Sequence, residues 1–415
     1  MADDLSDLVH AVSASAVLRL LSRAPRVLAL GEPTHGEDSL LGVRNELFRE
    51  LVEEEGYRTI AVESDCLKAL LVDDFVRSGT GTLDDVMARG FSHGWGSQAG
   101  NRELVSWMRE HNARADSAGR PASERLRFAG LDGPLEITGA ASPREALTAL
   151  HAFLSPHLDA DALPCAHDTL DRLLGADARW TDPAAMTDPG ASVGRTADAV
   201  QLRLLADDLV TLLDAETPHL IAATSPEAWE RARLYARTAT GLLTYHRAMA
   251  DPSPGRMAQL VAVRDQIMGR ELLTLAAREP ILVHAHNSHL QRAKSSMRMG
   301  GAPLEWWGAG ALANAQLGPE YAFLATALGT IQHRGVDVPP PDTFEGLLYA
   351  LPDDRRLVDS RRLAVALEGS PPVQRVSPWF GYAPFDPGHL ADSDGVVFVK
   401  DLQMRQPGIR DVLAR

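Results

Sequence analysis

Residues 27–36 contain residue types that could carry out general acid–base chemistry. A run of apolar residues ends at Gly31, and Glu32 and His35 follow it directly. A carboxylate beside an imidazole can orient the ring so that it accepts a proton from water. The end of a buried strand is a recurrent place for such groups in α/β proteins. The spacing therefore predicts that Glu32 and His35 form a catalytic pair.

Acids and histidines also follow three later apolar runs, which we interpret as strands. The second run ends at Glu63, the third at Asp132, and the fourth at His286 with His289 close behind. A helical pattern separates the first two runs, and such a βαβ unit places the carboxyl ends of parallel strands at one edge. Ligands of open α/β sheets bind at this edge. We therefore predict that Glu63, His286 and His289 join the first pair as catalytic residues.

Arg44 is predicted to belong to the same site. It lies between Leu40 and Phe48 at a spacing of four, on the apolar face of the first helix of the βαβ unit. A charge on a buried face needs a partner, and the carboxylates at the strand ends are the available ones. The alternative is an arginine that reaches solvent past its neighbours.

An aromatic loop could form the wall of a substrate pocket. Residues 91–96 have the sequence FSHGWG, in which two glycines follow His93 and Trp95. Loops at the rim of a site often bind substrate, although an ordinary packed connection fits equally well. Asp132 and Asn287, at the ends of the third and fourth strands, complete the predicted substrate contacts.

The pattern of elements predicts an α/β fold with a mainly parallel central sheet flanked by helices. Predicted strands span 26–30, 58–65, 126–132, 280–286, 321–328 and 395–401, and predicted helices span 6–23, 39–55, 66–78, 84–90 and 101–112. Residues 143–275 have an almost wholly helical pattern. We expect 1–142 and 276–415 to form a discontinuous catalytic core, and 143–275 to form a helical insertion that covers the carboxyl edge of the strands.

Composition restricts the possible partners and compartments. The chain has 415 residues and a formal net charge of -15, which argues against a nucleic-acid partner. Its two cysteines, Cys66 and Cys165, have no CxxC neighbours, so neither a disulfide framework nor a structural zinc site is expected. The acidic N-terminus does not resemble a signal peptide, and no apolar run approaches the ~20 residues of a membrane helix. We expect a cytoplasmic protein that acts on a small molecule without a cofactor, and the pattern does not predict its oligomeric state.

Three chemistries fit a cluster of histidines, carboxylates and an arginine. These are ester hydrolysis by an activated water, a metal site, and proton transfer without hydrolysis in a lyase or cyclase. A serine nucleophile is not indicated, because the chain lacks a G-x-S-x-G elbow. The HNSH segment at 286–289 lacks the helical HExxH context of zinc proteases, so no metal is predicted.

Six segments of the chain resemble, in order, signatures of the erythromycin esterase family. They are LGEPTHGE at 30–37, AVE at 61–63, LVSWMR at 104–109, RFAGLD at 127–132, RDQIM at 264–268 and HAHNSH at 284–289. The resemblance implies an α/β hydrolase that opens macrolide lactone rings with water and without a nucleophilic serine. It also implies that His35 is the general base, that Glu32 and Glu63 are active-site carboxylates, and that Arg44, His286 and His289 belong to the site.

The chain departs from the family pattern at two places. A tryptophan-containing segment before the first strand is not evident, and the aromatic loop carries Ser92, His93 and Gly94. The resemblance therefore indicates the chemistry more than the substrate. We predict an ester or lactone hydrolase, with a biosynthetic lyase or cyclase as the alternative and a non-catalytic ligand-binding protein as a third possibility.

Overall fold

An eight-stranded sheet lies at the centre of the fold. The computed structural model of the chain describes residues 6–136, 139–299 and 301–402. Its strands are β1 (Val9–His10), β2 (Val27–Glu32), β3 (Thr59–Asp65), β4 (Arg127–Asp132), β5 (Leu135–Glu136), β6 (Gly139–Ala140), β7 (Ile281–His286), β8 (Ser295–Met299), β9 (Ala302–Trp306), β10 (Tyr321–Thr330), β11 (Arg355–Val358) and β12 (Gly395–Asp401).

The central sheet is mainly parallel, as predicted. Its strand order is β1-β11-β12-β10-β2-β7-β3-β4, and the six strands from β12 to β4 pair in parallel, while β11 and β1 are antiparallel to their neighbours. Every residue of β2, β3 and β10 is buried, because helices cover both faces of the sheet. The predicted fold class is confirmed.

The described ranges contain fifteen α-helices besides short 3₁₀ helices. They are α1 (Ala14–Leu20), α2 (Asp38–Glu54), α3 (Ala69–Ser78), α4 (Leu83–Arg89), α5 (Ala99–Ser117), α6 (Arg144–Leu154), α7 (His167–Leu174), α8 (Ala197–Ala215), α9 (Thr217–Ala223), α10 (Pro226–Met249), α11 (Arg256–Ala276), α12 (Asn287–Leu290), α13 (Ala309–Leu317), α14 (Phe344–Tyr349) and α15 (Ser360–Ala366). None of them is both long and apolar enough to cross a membrane.

The predicted helix at 6–23 is partly wrong. Its first part forms the short strand β1, in which Val9 pairs with Val358 of β11, and α1 begins only at Ala14. The hydroxyl of Ser13 accepts a hydrogen bond from the backbone N–H of Ala16 and caps this helix. The strands β1 and β11 have weak sequence signals because they are short and depend on pairing between distant parts of the chain.

Residues 144–276 contain the six α-helices α6 to α11. The helices α6, α8 and α11 all pack on α10, and buried leucines such as Leu150, Leu202 and Leu243 fill the space between α6, α8 and α10. The helix α11 also contacts β4 and β7 of the sheet. The elements agree with the predicted change of character near residue 143, but the division into two domains stays a prediction.

Candidate active site

The end of β2 and the turn after it hold Glu32 and His35 in direct contact. Glu32 is the last residue of β2, and its Oε1 accepts a hydrogen bond of 2.7 Å from Nδ1 of His35. Gly36, next to His35, has a φ of +84°, a left-handed conformation that strongly favours glycine. The Glu32 carboxylate is buried, whereas the His35 side chain is 37% exposed. The turn therefore presents an oriented imidazole to solvent.

Glu63, at the end of β3, is the centre of the cluster. Its Oε2 accepts the backbone N–H of His286 at 2.8 Å. Its Oε1 lies 2.9 Å from Nη2 of Arg264, 3.4 Å from Nε2 of His289 and 3.8 Å from Nε2 of His35. Burial would raise the pKa of this carboxyl, but the charges of His289, His35 and Arg264 outweigh it and hold the pKa well below its usual range.

Three histidines enter the cluster from β7 and α12. The Nε2 of His284 lies 3.7 Å from Oε2 of Glu32, and the ring of His286 lies 5.3 Å from that of His35. Burial lowers the pKa of both His284 and His286 to about 4, so both are neutral at neutral pH. The backbone N–H of Ser288 donates to Nδ1 of His286, and this fixes the ring proton on Nε2.

His289 has a different environment because Asp265 of α11 lies beside it. Its Nδ1 donates to Asp265 at 2.9 Å, and its Nε2 faces Glu63. Burial lowers the pKa of His289, but the carboxylates of Asp265 and Glu63 outweigh burial and raise it above its ordinary value. This histidine therefore lies buried between two carboxylates.

The arginine that pairs with the carboxylates is Arg264 of α11, so the partners predicted for Arg44 are wrong. Arg264 donates to Oδ2 of Asp132 through Nε at 2.9 Å and Nη2 at 2.7 Å, and it also binds Glu63. Arg44 is 1% exposed and donates to Oδ1 of Asn45 and of Asn101. Among the described residues it forms no ion pair with a carboxylate, because the side-chain amides of Asn45 in α2 and Asn101 in α5 are closer.

Arg44 nevertheless influences the site through the aromatic loop. It donates to Asn101 at 2.9 Å, and the amide of Asn101 donates to the backbone carbonyl of Trp95 at 3.0 Å. Burial lowers the pKa of Arg44 to about 10, while the charge of Glu32 opposes this change. Arg44 therefore remains charged at neutral pH and helps to hold the loop.

The aromatic loop lies beside the cluster, and its role in binding a substrate stays a prediction. The Trp95 ring lies 5.1 Å from that of His35 and 4.9 Å from that of His93. His93 has a φ of +55°, and its Nδ1 lies 2.7 Å from Oε2 of Glu136. Its Nε2 lies 3.9 Å from Oδ2 of Asp132. The left-handed backbone of His93 is unusual for a residue with a side chain.

Asp132 and Asn287 do not have the predicted direct access to a substrate. Asp132 is 0% exposed, and Arg264 and the backbone N–H of Gly133 occupy its oxygens. Asn287 exchanges two hydrogen bonds with the backbone of Thr326 and is also buried. Both predictions of a substrate contact are corrected, because the two side chains bind Arg264 and the backbone of neighbouring strands instead of facing solvent.

Sequence reasoning missed three residues of the cluster, which are Arg264, Asp265 and His284. The pair at 264 and 265 was visible only as part of a family signature, although two adjacent charges among the apolar residues of α11 are themselves a signal. His284 lies two residues before His286, and alternate residues of a strand point to the same face.

The cluster is arranged for proton transfer. It combines a half-exposed histidine oriented by a carboxylate, a neutral histidine with a free N–H, and a carboxylate held ionised. No group of three or more histidine, cysteine or acidic side chains in the described ranges is placed to hold a metal ion.

Comparisons with known proteins identify relatives of this arrangement. The model of the family described as Erythromycin esterase matches residues 52–401. The erythromycin esterase type II of Escherichia coli is 25% identical over 282 residues, which are 66% of this chain and 63% of that protein. The chain thus spans less than two thirds of the length of this curated relative.

Solved structures with low sequence identity share the fold. A Bacillus cereus protein has a TM-score of 0.71 at 16% identity and covers 97% of both chains. A succinoglycan biosynthesis protein has a TM-score of 0.68 at 14% identity and covers 96% of both chains. A mutant of the erythromycin esterase EreC in its open conformation has a TM-score of 0.63 at 17% identity and covers 95% of both chains.

Proposed function

The chain belongs to the erythromycin esterase family, and from this premise we propose that it hydrolyses an ester or a lactone with an activated water molecule. The observation that carries the proposal is the 2.7 Å hydrogen bond between Glu32 and the half-exposed ring of His35. The names of the relatives support a macrolide or a similar natural-product lactone as the substrate class. The substrate is a small molecule, and a cytoplasmic location stays a prediction.

In the proposed mechanism, His35 is the general base. Glu32 accepts the Nδ1 proton of the ring, so Nε2 carries the lone pair once the ring is neutral. This nitrogen takes a proton from water, and the hydroxide attacks the carbonyl carbon of the ester. When the tetrahedral intermediate collapses, the protonated His35 returns its proton to the departing alcohol oxygen. One water is consumed, and an acid and an alcohol are formed.

The surroundings of His35 support an alkaline pH optimum. Burial lowers the pKa of the ring, but the charge of Glu63 and the hydrogen bond and charge of Glu32 outweigh burial and raise the pKa to about 9. The free ring is therefore mostly protonated at neutral pH. The rate rises with pH until the ring has lost its proton.

His286 is the proposed donor to the oxyanion. It is neutral, and its proton is on Nε2, so it can stabilise negative charge on the carbonyl oxygen without losing a proton. His289 is buried and its Nε2 faces Glu63, so we assign it to orienting Glu63 instead of binding substrate. Arg44 acts through Asn101 on the loop of Trp95.

A screen in isotopically labelled water tests this proposal. Purified protein is incubated with macrolides and other lactones in ¹⁸O-water, and the products are analysed by mass spectrometry. We expect a gain of one water that carries the label, and a loss of about 100- to 10,000-fold in rate for His35→Ala. His219→Ala, at an exposed histidine of α9, is the control and should retain the wild-type rate.

Other outcomes of the screen identify the alternatives. A product without labelled oxygen would indicate a lyase or cyclase that uses the same groups. Absence of turnover, with ligand binding that survives His35→Ala, would indicate a binding protein. Elemental analysis of the purified protein, together with a chelator test, decides whether a metal takes part.

A further inference from the structure

The helix α11 supplies two charged side chains, which are adjacent in sequence, to the cluster at the ends of the strands. Arg264 and Asp265 are consecutive residues of α11, and they have opposite charges. Arg264 contacts the carboxylates of Glu63 and Asp132, whereas Asp265 contacts His289. A single turn of α11 therefore touches groups from β3, β4 and α12.

Asp132 fixes the position of the Arg264 guanidinium. Nε and Nη2 of Arg264 both donate to the same oxygen of Asp132, and Nη2 also donates to Glu63. The other oxygen of Asp132 accepts the backbone N–H of Gly133, so this carboxylate is held by the end of its own strand. Because Asp132 is completely buried, its function is to anchor the arginine against the sheet.

Asp265 is anchored in a similar way. Its carboxylate is 0% exposed and accepts hydrogen bonds from Nε1 of Trp306 at 2.7 Å and from the backbone N–H of Ala309 at 2.8 Å. It also accepts from Nδ1 of His289, so the Nε2 of this histidine is turned towards Glu63 at 3.4 Å. The carboxylate cannot rotate away without breaking three hydrogen bonds.

We propose that Arg264 and Asp265 are positioning residues of the hydrolytic site: Arg264 places a positive charge beside Glu63, and Asp265 holds His289 with its Nε2 towards the same carboxylate. Arg264 fixes the position of the Glu63 carboxylate, which the charges of His289 and His35 also keep ionised. The proposal rests on the proposed function only where it concerns rates, because the charge states are properties of the free protein.

The charged and titratable groups around each histidine give the sign of the effect. Those around His35 are Glu32, Glu63, Arg264, His284 and His286; those around His289 are Asp265, Glu63, Arg264 and His286. The positive charge of Arg264 lowers the pKa of both His35 and His289, whereas Asp265 raises the pKa of His289. Removal of the Arg264 charge should therefore raise the pKa of both histidines, whereas removal of the Asp265 charge should lower the pKa of His289.

Histidine titration by NMR tests the proposal without a substrate. Protein labelled with ¹³C at histidine Cε1 is titrated as wild type, Arg264→Gln and Asp265→Asn, and the His35 and His289 signals are assigned by their loss in His35→Ala and His289→Gln. We expect Arg264→Gln to raise both pKa values by about one unit, and Asp265→Asn to lower that of His289 by a similar amount. Where an ester substrate is available, the rising limb of the rate against pH should move upward by the same amount in Arg264→Gln.

A matched control separates charge from packing. Arg237 of α10 donates to Glu271 of α11 at 2.9 and 2.7 Å, two turns along the helix from Arg264. Arg237→Gln should weaken the packing of α11 while leaving both histidine pKa values unchanged. Arg264→Lys retains the positive charge and should retain pKa values closer to wild type than Arg264→Gln does.

Two results would overturn the proposal. One is that both histidines titrate as in wild type when Arg264→Gln is folded. The other is that Arg237→Gln moves them as far as Arg264→Gln does, which would show that helix packing alone is responsible. If Arg264→Gln does not fold, Asp265→Asn decides, and a pKa of His289 equal to that of wild type in this folded variant overturns the proposal. Absence of hydrolysis with every ester would contradict the proposed function and leave the titration result standing.

Discussion

Replacement of Glu32 by Gln should move the pH dependence of the reaction to lower pH. Glu32 raises the pKa of His35 both through its 2.7 Å hydrogen bond and through its charge. Gln keeps the size of the side chain and an oxygen that can accept from Nδ1, but it removes the negative charge. The proton then leaves His35 more easily, so the pH range over which the rate rises must move to values below about 9.

The expected magnitude is about one pH unit. A neighbouring opposite charge shifts a pKa by about one to three units, and Glu63 remains in place to hold part of the rise in the pKa of His35. One unit corresponds to about tenfold more neutral ring at pH 7. The plateau at high pH should fall by about ten- to a hundredfold, because the imidazolium that forms during the reaction loses a charge-assisted hydrogen bond.

Initial rates of ester or lactone hydrolysis between pH 6 and 10 measure both quantities. Glu37→Gln is the matched control, because Glu37 lies at the end of the same turn and is as buried as Glu32. Its Oε1 lies 3.1 Å from Nε2 of His333 and not beside His35. This variant should leave the limb where it is. A limb that stays near pH 9 or moves upward in Glu32→Gln would refute the assignment of His35 as the base that Glu32 orients.

Three further predictions concern the turn, the aromatic loop and stability. Gly36→Ala should destabilise the fold by about 1 kcal/mol, because the φ of +84° is strained for alanine; a melting temperature equal to wild type would contradict this. Arg44→Met should lower the free energy of unfolding in urea by about 1–3 kcal/mol and should change the fluorescence of Trp95, because the side-chain oxygen of Asn101 loses its hydrogen-bond donor. An unchanged free energy of unfolding and an unchanged emission would argue against the connection from Arg44 to the loop. Because the pKa of His35 is raised in the folded protein, its protonation stabilises the fold fully below about pH 6.5, and this contribution is lost as the pH rises through about 9. The difference in the free energy of unfolding between wild type and His35→Gln should therefore shrink from about pH 6.5 to about pH 9. A constant difference would contradict the raised pKa.

The sequence predicted the parallel sheet and the edge at which the site would form. Apolar runs separated by helical patterns produce βαβ units, and the right-handed connection leaves little choice about strand direction. Once the strands are parallel, residues at their carboxyl ends meet whatever their distance along the chain. This is why Glu32, Glu63 and His286 could be grouped without coordinates, and why they lie within one cluster.

The tertiary structure alone decided which arginine pairs with the carboxylates. Arg264 is separated from Asp132 by 132 residues of sequence, and no periodicity indicates how α11 lies against the sheet. Arg44 has the more suggestive sequence position, but the amides of Asn45 and Asn101 are closer to it than any carboxylate of the site. The partner of each arginine follows from the packing of whole helices. An ion pair or hydrogen bond forms only when the two atoms lie within a few ångströms of each other, whereas the sequence pattern indicates only which face of a helix is buried.

Side-chain direction at the ends of strands also depends on the tertiary structure. Asn287 follows β7 directly, yet its amide turns inward to Thr326 of β10, because Gly31 has no Cβ and leaves room for it. A Cβ on Gly31 would lie 2.1 Å from the Asn287 oxygen. The sequence by itself determined that histidines and carboxylates share one edge of the sheet. Only the packing of α11 and β10 against that edge decided which of them are exposed and which are buried and hold the others in place, because that choice depends on close contacts between segments far apart in the chain.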